Sequence, residues 1–150
     1  MNVTELAIPG LLLIEPRLFP DDRGLFFEIF RDERYAQAGL AGPFVQDNFS
    51  RSRRGTLRGL HFQEPHGQGK LVQALRGSVY DVVVDVRRGS PSFGRWVGVE
   101  LSEDNHRMLW VPGGFAHGFL ALSDDVDLTY KCTDFYATRH ERTIVWNDPE

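Results

Sequence analysis

Apolar and polar residues alternate with a period of two along much of this chain, the repeat of a β-strand with one buried face. The pattern is cleanest from Val126 to Cys132. There Val126, Leu128, Tyr130 and Cys132 fall on one face, and Asp127, Thr129 and Lys131 on the other. In Val79–Arg87, Asp81 and Asp85 share a face with Val79 and Val83, opposite Tyr80, Val82, Val84 and Val86. Other short runs rich in β-branched or aromatic residues predict strands at Leu11–Glu15, Leu25–Phe30, Leu71–Leu75, Trp96–Leu101, Met108–Val111 and Phe119–Leu122. Turn residues bound them, as in Asp21-Asp22-Arg23-Gly24, Arg88-Gly89-Ser90-Pro91 and Pro112-Gly113-Gly114. One short polar segment, Asp32–Ala38, predicts a helix that Gly39 ends. Many short strands with regular turns and little helix predict an all-β sandwich or barrel, with the jelly roll the natural choice at this length.

With 150 residues, the chain is expected to form a single domain able to bury a sizeable core. The net charge of −4 argues against non-specific nucleic-acid binding, so any anion site must be local. The single cysteine, Cys132, cannot form an internal disulfide, which fits a reducing cytoplasm. No apolar stretch approaches the roughly 18 residues needed to span a membrane. The expectation is a soluble, cytoplasmic protein with no nucleic-acid or membrane partner.

The most informative stretch is Leu57-Arg-Gly-Leu-His-Phe-Gln63, which sets His61 in an apolar strand-like run three residues after Arg58. Lys70 opens the next such run. Histidine, arginine and lysine converging from neighbouring strands would make a pocket that binds an anion and moves a proton at neutral pH. Strict alternation puts His61 with Gly59 and Gln63, but Arg58 with Leu60 and Phe62. Both can line one pocket only if the strand bulges at Gly59 or Arg58 sits at its mouth. His117 shares a face with Phe115 and Phe119. If Asp81 or Asp85 is buried it needs a cationic or hydrogen-bonding partner, and His117 and the basic residues are the candidates. Singly, each of these has a plainer reading: a lone histidine on an apolar strand is usually a satisfied core residue, and an inward tyrosine usually packs. The run Arg51-Ser52-Arg53-Arg54 reads as a solvated loop with no role. Phe26, Phe27, Trp96, Trp110 and Trp146 read as core or interface.

Taken together the motifs resemble a known family. Phe19-Pro-Asp-Asp-Arg-Gly24, Phe44-Val-Gln-Asp-Asn48, Leu57–Gln63, Gly69-Lys-Leu-Val72, Val84-Asp-Val-Arg87, Ser90-Pro-Ser-Phe-Gly94, Trp110–Phe119 and Leu128-Thr-Tyr-Lys-Cys132 occur in the order found in the dTDP-4-dehydrorhamnose 3,5-epimerases. These are enzymes of deoxysugar synthesis with a cupin fold, a double-stranded β-helix of jelly-roll type. The resemblance implies His61 as the base that takes the proton beside the substrate's C4 ketone, Tyr130 as the acid on the opposite face, and Lys70 beside the developing enolate. It implies substrate contacts from Arg58, facing the diphosphate, and from His117, with Asp81 as the partner of that histidine. Gln46 and Asn48 match nucleotide-sugar contacts, as do Glu28 and Glu141 more weakly, and Tyr136 matches an aromatic stacked near the nucleotide. Phe19 and Arg23 fall in a segment that, in the family, reaches into the neighbouring subunit's site, so a homodimer is implied. No metal or redox cofactor is. The family pattern also continues past Trp146-Asn-Asp-Pro149 with a strand and a segment carrying the aspartate that orients the catalytic histidine, a segment this sequence is expected to lack.

Three other readings share the fold. Relatives within the superfamily epimerise C3 or C5 alone, or act as ketoisomerases. A metal-dependent cupin would need more ligands than His61 and His117, with Gln63 where a second histidine is usual. A carbohydrate-binding jelly roll would bind a nucleotide sugar without exchanging its protons.

Overall fold

The computed structural model describes residues 1–40 and 42–149. Thirteen strands, a short α-helix and one 3-10 turn are assigned among them. Strands β1 (Asn2–Glu5), β2 (Leu12–Glu15), β5 (Gln46–Arg53), β7 (Lys70–Arg76), β10 (Met108–Val111) and β12 (Asp125–Cys132) form one sheet in the order β1-β2-β10-β7-β12-β5. Strands β6 (Leu57–Gln63), β8 (Ser78–Asp85), β9 (Trp96–Ser102), β11 (Phe115–Ala121) and β13 (Glu141–Thr143) form a second, ordered β13-β6-β11-β8-β9. Every pairing is antiparallel. Strands β3 (Phe19–Asp21) and β4 (Gly24–Phe26) make a separate hairpin. The expected all-β jelly-roll class is therefore present, and no helix among the described residues is long and apolar enough to cross a membrane.

The alternation read from the sequence explains the core. Val72, Ala74, Leu109, Val111, Val126 and Leu128 from the six-stranded sheet meet Val79, Val83, Leu101, Phe115, Phe119 and Ala121 from the other. Fully burying each such aliphatic or aromatic side chain contributes about 1.5–3 kcal/mol. A second cluster covers the outer face of the six-stranded sheet, where Ile14, Leu71, Met108 and Trp110 pack against Tyr35 and Leu40 from around helix α1 (Asp32–Gln37). Asp32 and Glu33 in the helix's first turn suit the positive end of its dipole. Tyr35 donates to the Ile29 carbonyl at 2.7 Å, and burial pushes its phenol up to about 12.

Both buried aspartates on β8 find the partners their burial demands. Asp81 bonds His117, while Asp85 accepts from Arg87 at 2.9 and 2.7 Å and from the Ser90 and Ser92 hydroxyls at 2.6 and 2.7 Å. The Arg87 guanidinium, followed by those hydroxyls, holds the Asp85 carboxyl well below the usual carboxylate range.

Three expectations need correction. The strand expected over Leu25–Phe30 ends at Phe26, because Phe27 and Phe30 turn away to pack with the helix-side cluster. Of the aromatics read as core or interface, Trp110 is core, while Phe26, Trp96 and Trp146 are exposed in the single chain. The strand expected at Phe119–Leu122 begins four residues earlier, at Phe115. Finally, Arg51–Arg53 is not a solvated loop. It is the end of β5, where Ser52 is buried and Arg51 is bonded to Asp127 at 2.6 and 2.8 Å. Only Arg54, paired with Asp124, lies past the strand's end. The segment expected beyond Pro149 lies outside the described residues.

Candidate active site

One end of the sandwich opens into a cavity of about 570 Å³ lined by both sheets. The five-stranded sheet supplies Arg58 and His61 from β6 and His117 from β11, and the facing sheet supplies Gln46 and Asn48 from β5, Lys70 from β7 and Tyr130 from β12. Tyr136 and Glu141 close one side.

A bulge brings Arg58 and His61 to the same cavity. On β11, His117 pairs with His61 and Phe119 with Arg58, so a step of two residues on β11 matches three on β6. Only glycines fit at this crossing. Gly59 has φ +132°, and a Cβ there would sit 2.5 Å from the Gly118 Cα. A Cβ on Gly118 would sit 2.5 Å from the Arg58 carbonyl oxygen.

His61 Nδ1 lies 2.9 Å from a Glu141 carboxylate oxygen, and the other Glu141 oxygen accepts from the Tyr136 hydroxyl at 3.0 Å. The bond from His61 is the main cause holding the Glu141 carboxyl below its ordinary value. With Nδ1–H donating to a carboxylate, a neutral ring carries its lone pair on Nε2, free to accept a proton. His117 is buried and its Nε2 meets both Asp81 oxygens, at 2.8 and 2.9 Å. Asp81 therefore stands behind the cavity wall and acts on it through His117.

Across the cavity, burial pushes the Lys70 ammonium below its ordinary value and the Tyr130 phenol above its own. Lys70 Nζ stands 6.0 Å from the Tyr130 ring centroid. Arg58 donates from Nε to the Ser52 hydroxyl at 3.0 Å and from Nη2 to the Arg51 carbonyl at 3.4 Å. Gln46 spans two neighbours, donating to Asn48 at 3.0 Å and accepting from the Tyr136 amide at 3.0 Å.

Four of the residues singled out from the sequence do not line this cavity: Asp81, which lies behind His117, and three that lie elsewhere. Phe19 and Arg23 sit on the β3–β4 hairpin, where Arg23 is exposed and paired with Asp21 at 2.6 Å and Phe19 packs near Phe26. Glu28 lies between Arg31 and Arg34, 2.8 Å from each, beside a smaller cavity of about 220 Å³. Conversely, Gln63 and two residues on the inner face of β5, Ser50 and Ser52, were not singled out from the sequence. The Gln63 carboxamide clamps loops, donating to the His66 carbonyl at 3.0 Å and accepting from the Ala137 amide at 2.7 Å. Ser50 and Ser52 continue the row begun by Gln46 and Asn48 on β5. Their period-two spacing was the available signal. Among the described residues no group of three or more histidines, cysteines or carboxylates is placed to hold a metal ion.

Residues 5–150 match the family model described as dTDP-4-dehydrorhamnose 3,5-epimerase. A Pseudomonas aeruginosa dTDP-4-dehydrorhamnose 3,5-epimerase is 58% identical over an alignment covering 100% of this chain and 83% of that protein. Among solved structures, a Legionella pneumophila dTDP-6-deoxy-D-glucose-3,5-epimerase in complex with dTDP-4-keto-L-rhamnose superposes with a TM-score of 0.96 at 52% identity, covering 99% of this chain and 79% of that one. A Bacillus anthracis dTDP-4-dehydrorhamnose 3,5-epimerase with TDP and pyrophosphate bound gives 0.95 at 47% identity, covering 98% and 85%.

Proposed function

The chain belongs to the dTDP-4-dehydrorhamnose 3,5-epimerase family of isomerases, and from that premise we propose that it inverts C3 and C5 of dTDP-4-keto-6-deoxyglucose by successive proton transfers through an enolate. The observation that carries the reading is the placement of base and acid on opposite walls. His61 projects from the five-stranded sheet, with Lys70 and Tyr130 on the sheet facing it. Inversion needs a proton removed from one face of the sugar ring and another delivered to the opposite face.

In this reading His61 Nε2 takes the proton from the carbon beside the C4 ketone. The electron pair moves onto the C4 oxygen, where the Lys70 ammonium stabilises it. The Tyr130 hydroxyl gives its proton to the carbon from the other side, which reforms the ketone. Both groups then exchange with solvent. Glu141 fixes the His61 tautomer, which adds to the substrate contact expected of it. Arg58 binds the diphosphate, His117 backed by Asp81 contacts the sugar, and Gln46, Asn48 and Tyr136 hold the nucleotide. The two relatives with a dTDP-sugar or with TDP and pyrophosphate bound support a ligand of this class. The net change moves protons alone, so the chemistry calls for no redox cofactor. Phe19 and Arg23, on a hairpin that projects from the chain, complete the neighbouring site in a homodimer, and Glu28 stands near that hairpin's base.

A reductase that accepts only the doubly inverted ketone, supplied with NADPH, tests this. The protein should make NADPH oxidation depend on its own concentration. His61→Asn should remove that dependence while dTDP still binds. Full turnover by His61→Asn would mean that the base is another residue.

A further inference from the structure

We propose that Ser52 is a positioning residue that sets the Arg58 guanidinium for the diphosphate; this rests on the epimerase reading and names a determinant of that same site. Ser52 is 4% exposed, and its hydroxyl accepts from Arg58 Nε at 3.0 Å. A second bond, from Nη2 to the Arg51 carbonyl at 3.4 Å, ties the guanidinium to the same stretch of β5. The remaining N–H groups of the planar fork are left for an oxyanion ligand in the cavity that Arg58 lines.

The support under Ser52 is rigid. Strand β5 pairs with β12 along its whole length, from Gln46 opposite Cys132 to Arg53 opposite Asp125. On the other face of β5, one residue before Ser52, Arg51 makes a two-pronged bond to Asp127 across that same pair of strands. The Arg51 guanidinium holds the Asp127 carboxyl below its ordinary value. Arg58 itself follows directly on the segment where β6 begins, and its neighbour Gly59 starts the bulge. An arginine at such a place has many rotamers, and fixing one on ligand binding costs affinity. A buried hydroxyl that already selects the rotamer removes part of that cost.

The test is a double-mutant cycle read by calorimetric titration with dTDP. Ser52→Ala should weaken dTDP binding about fivefold to tenfold, a part of what a hydrogen bond to a charged group is worth, because the bond is lost from the free protein as well as from the complex. Arg58→Ala should weaken it more, and adding Ser52→Ala to Arg58→Ala should cost nothing further. In turnover, Ser52→Ala should raise KM with kcat within about twofold, and Ser52→Thr, which keeps the hydroxyl, should restore KM. An equal loss from Ser52→Ala in both backgrounds overturns the proposal, since Ser52 would then act through packing alone. So does unchanged affinity in Ser52→Ala when Arg58→Ala is impaired. Wild-type protein that binds no dTDP, or an Arg58→Ala variant that binds it normally, instead overturns the underlying reading of the site, and the role of Ser52 falls with it.

Discussion

Glu141 is the residue whose role changes most between sequence and structure. Its carboxylate lies against His61 Nδ1, with Tyr136 on its other oxygen. Glu141→Gln places an amide there that can donate to Nδ1, which favours the tautomer with Nε2 already protonated. Steady-state kinetics should show kcat falling at least about a hundredfold, within the range that general-base catalysis supplies, with dTDP affinity little changed. An unchanged kcat would mean that another group orients His61. In the mechanism proposed above, an alkaline limb would belong to Lys70. Its folded value lies below that of an exposed lysine because burial disfavours the ammonium, so the charge is lost earlier as pH rises. The Tyr130 phenol is shifted upward by the same cause and stays protonated through that range. The alkaline fall in kcat should therefore keep its position in Tyr130→Phe and move to higher pH in Lys70→Arg. A limb that disappears in Tyr130→Phe would assign it to the tyrosine. That His61, Arg58 and Lys70 line one cavity was legible because histidine, arginine and lysine recur at short spacing on strand-like runs. The bonds of His61 with Glu141 and of Arg58 with Ser52 were not, since the first spans 80 residues and both depend on strand register.

Among the elements, β5 and the β6 bulge decide the site's shape, and the sequence treated them differently. Parity along β6 called either for a bulge at Gly59 or for Arg58 at the strand's mouth, and the register shift against β11 decides for the bulge. Strand β5 stayed hidden because its inner face carries Gln46, Asn48, Ser50 and Ser52, which leaves no apolar alternation to detect. A wall that binds a polar ligand lacks the hydrophobic signal by which strands are found. Similarly, the short strand β13 is visible only through its pairing with β6, which puts Thr143 opposite His61. Gly59→Ala tests the bulge directly. The added methyl meets Gly118, and φ +132° suits no L-residue with a side chain, so stability should fall by about 2–4 kcal/mol. That corresponds to a Tm lower by roughly 5–15 °C in thermal unfolding. A variant as stable as wild type would mean that β6 and β11 can part without cost.

At the scale of the whole molecule, the chain alone leaves the β3–β4 hairpin standing apart from both sheets with Phe26 69% exposed. In the homodimer proposed above that hairpin is an interface, so light scattering should give the mass of two chains. Phe26→Asp should give the mass of one, with an unchanged circular dichroism spectrum and greatly reduced turnover. A wild-type monomer with full activity would remove the hairpin from the site. The all-β class, the sandwich core and the family were all readable from motif order and strand period, because each rests on local pattern. The meeting of two sheets around one cavity is a property of topology alone. Base and acid are proposed to act from those opposite walls, and proton NMR of dTDP-4-keto-6-deoxyglucose incubated with the protein in deuterated water reads both proton transfers. Deuterium should enter at both C3 and C5 with inversion at each, with no exchange in His61→Asn and with impaired inversion but detectable exchange in Tyr130→Phe. Wild-type protein that binds dTDP but leaves both positions fully protonated would contradict this mechanism.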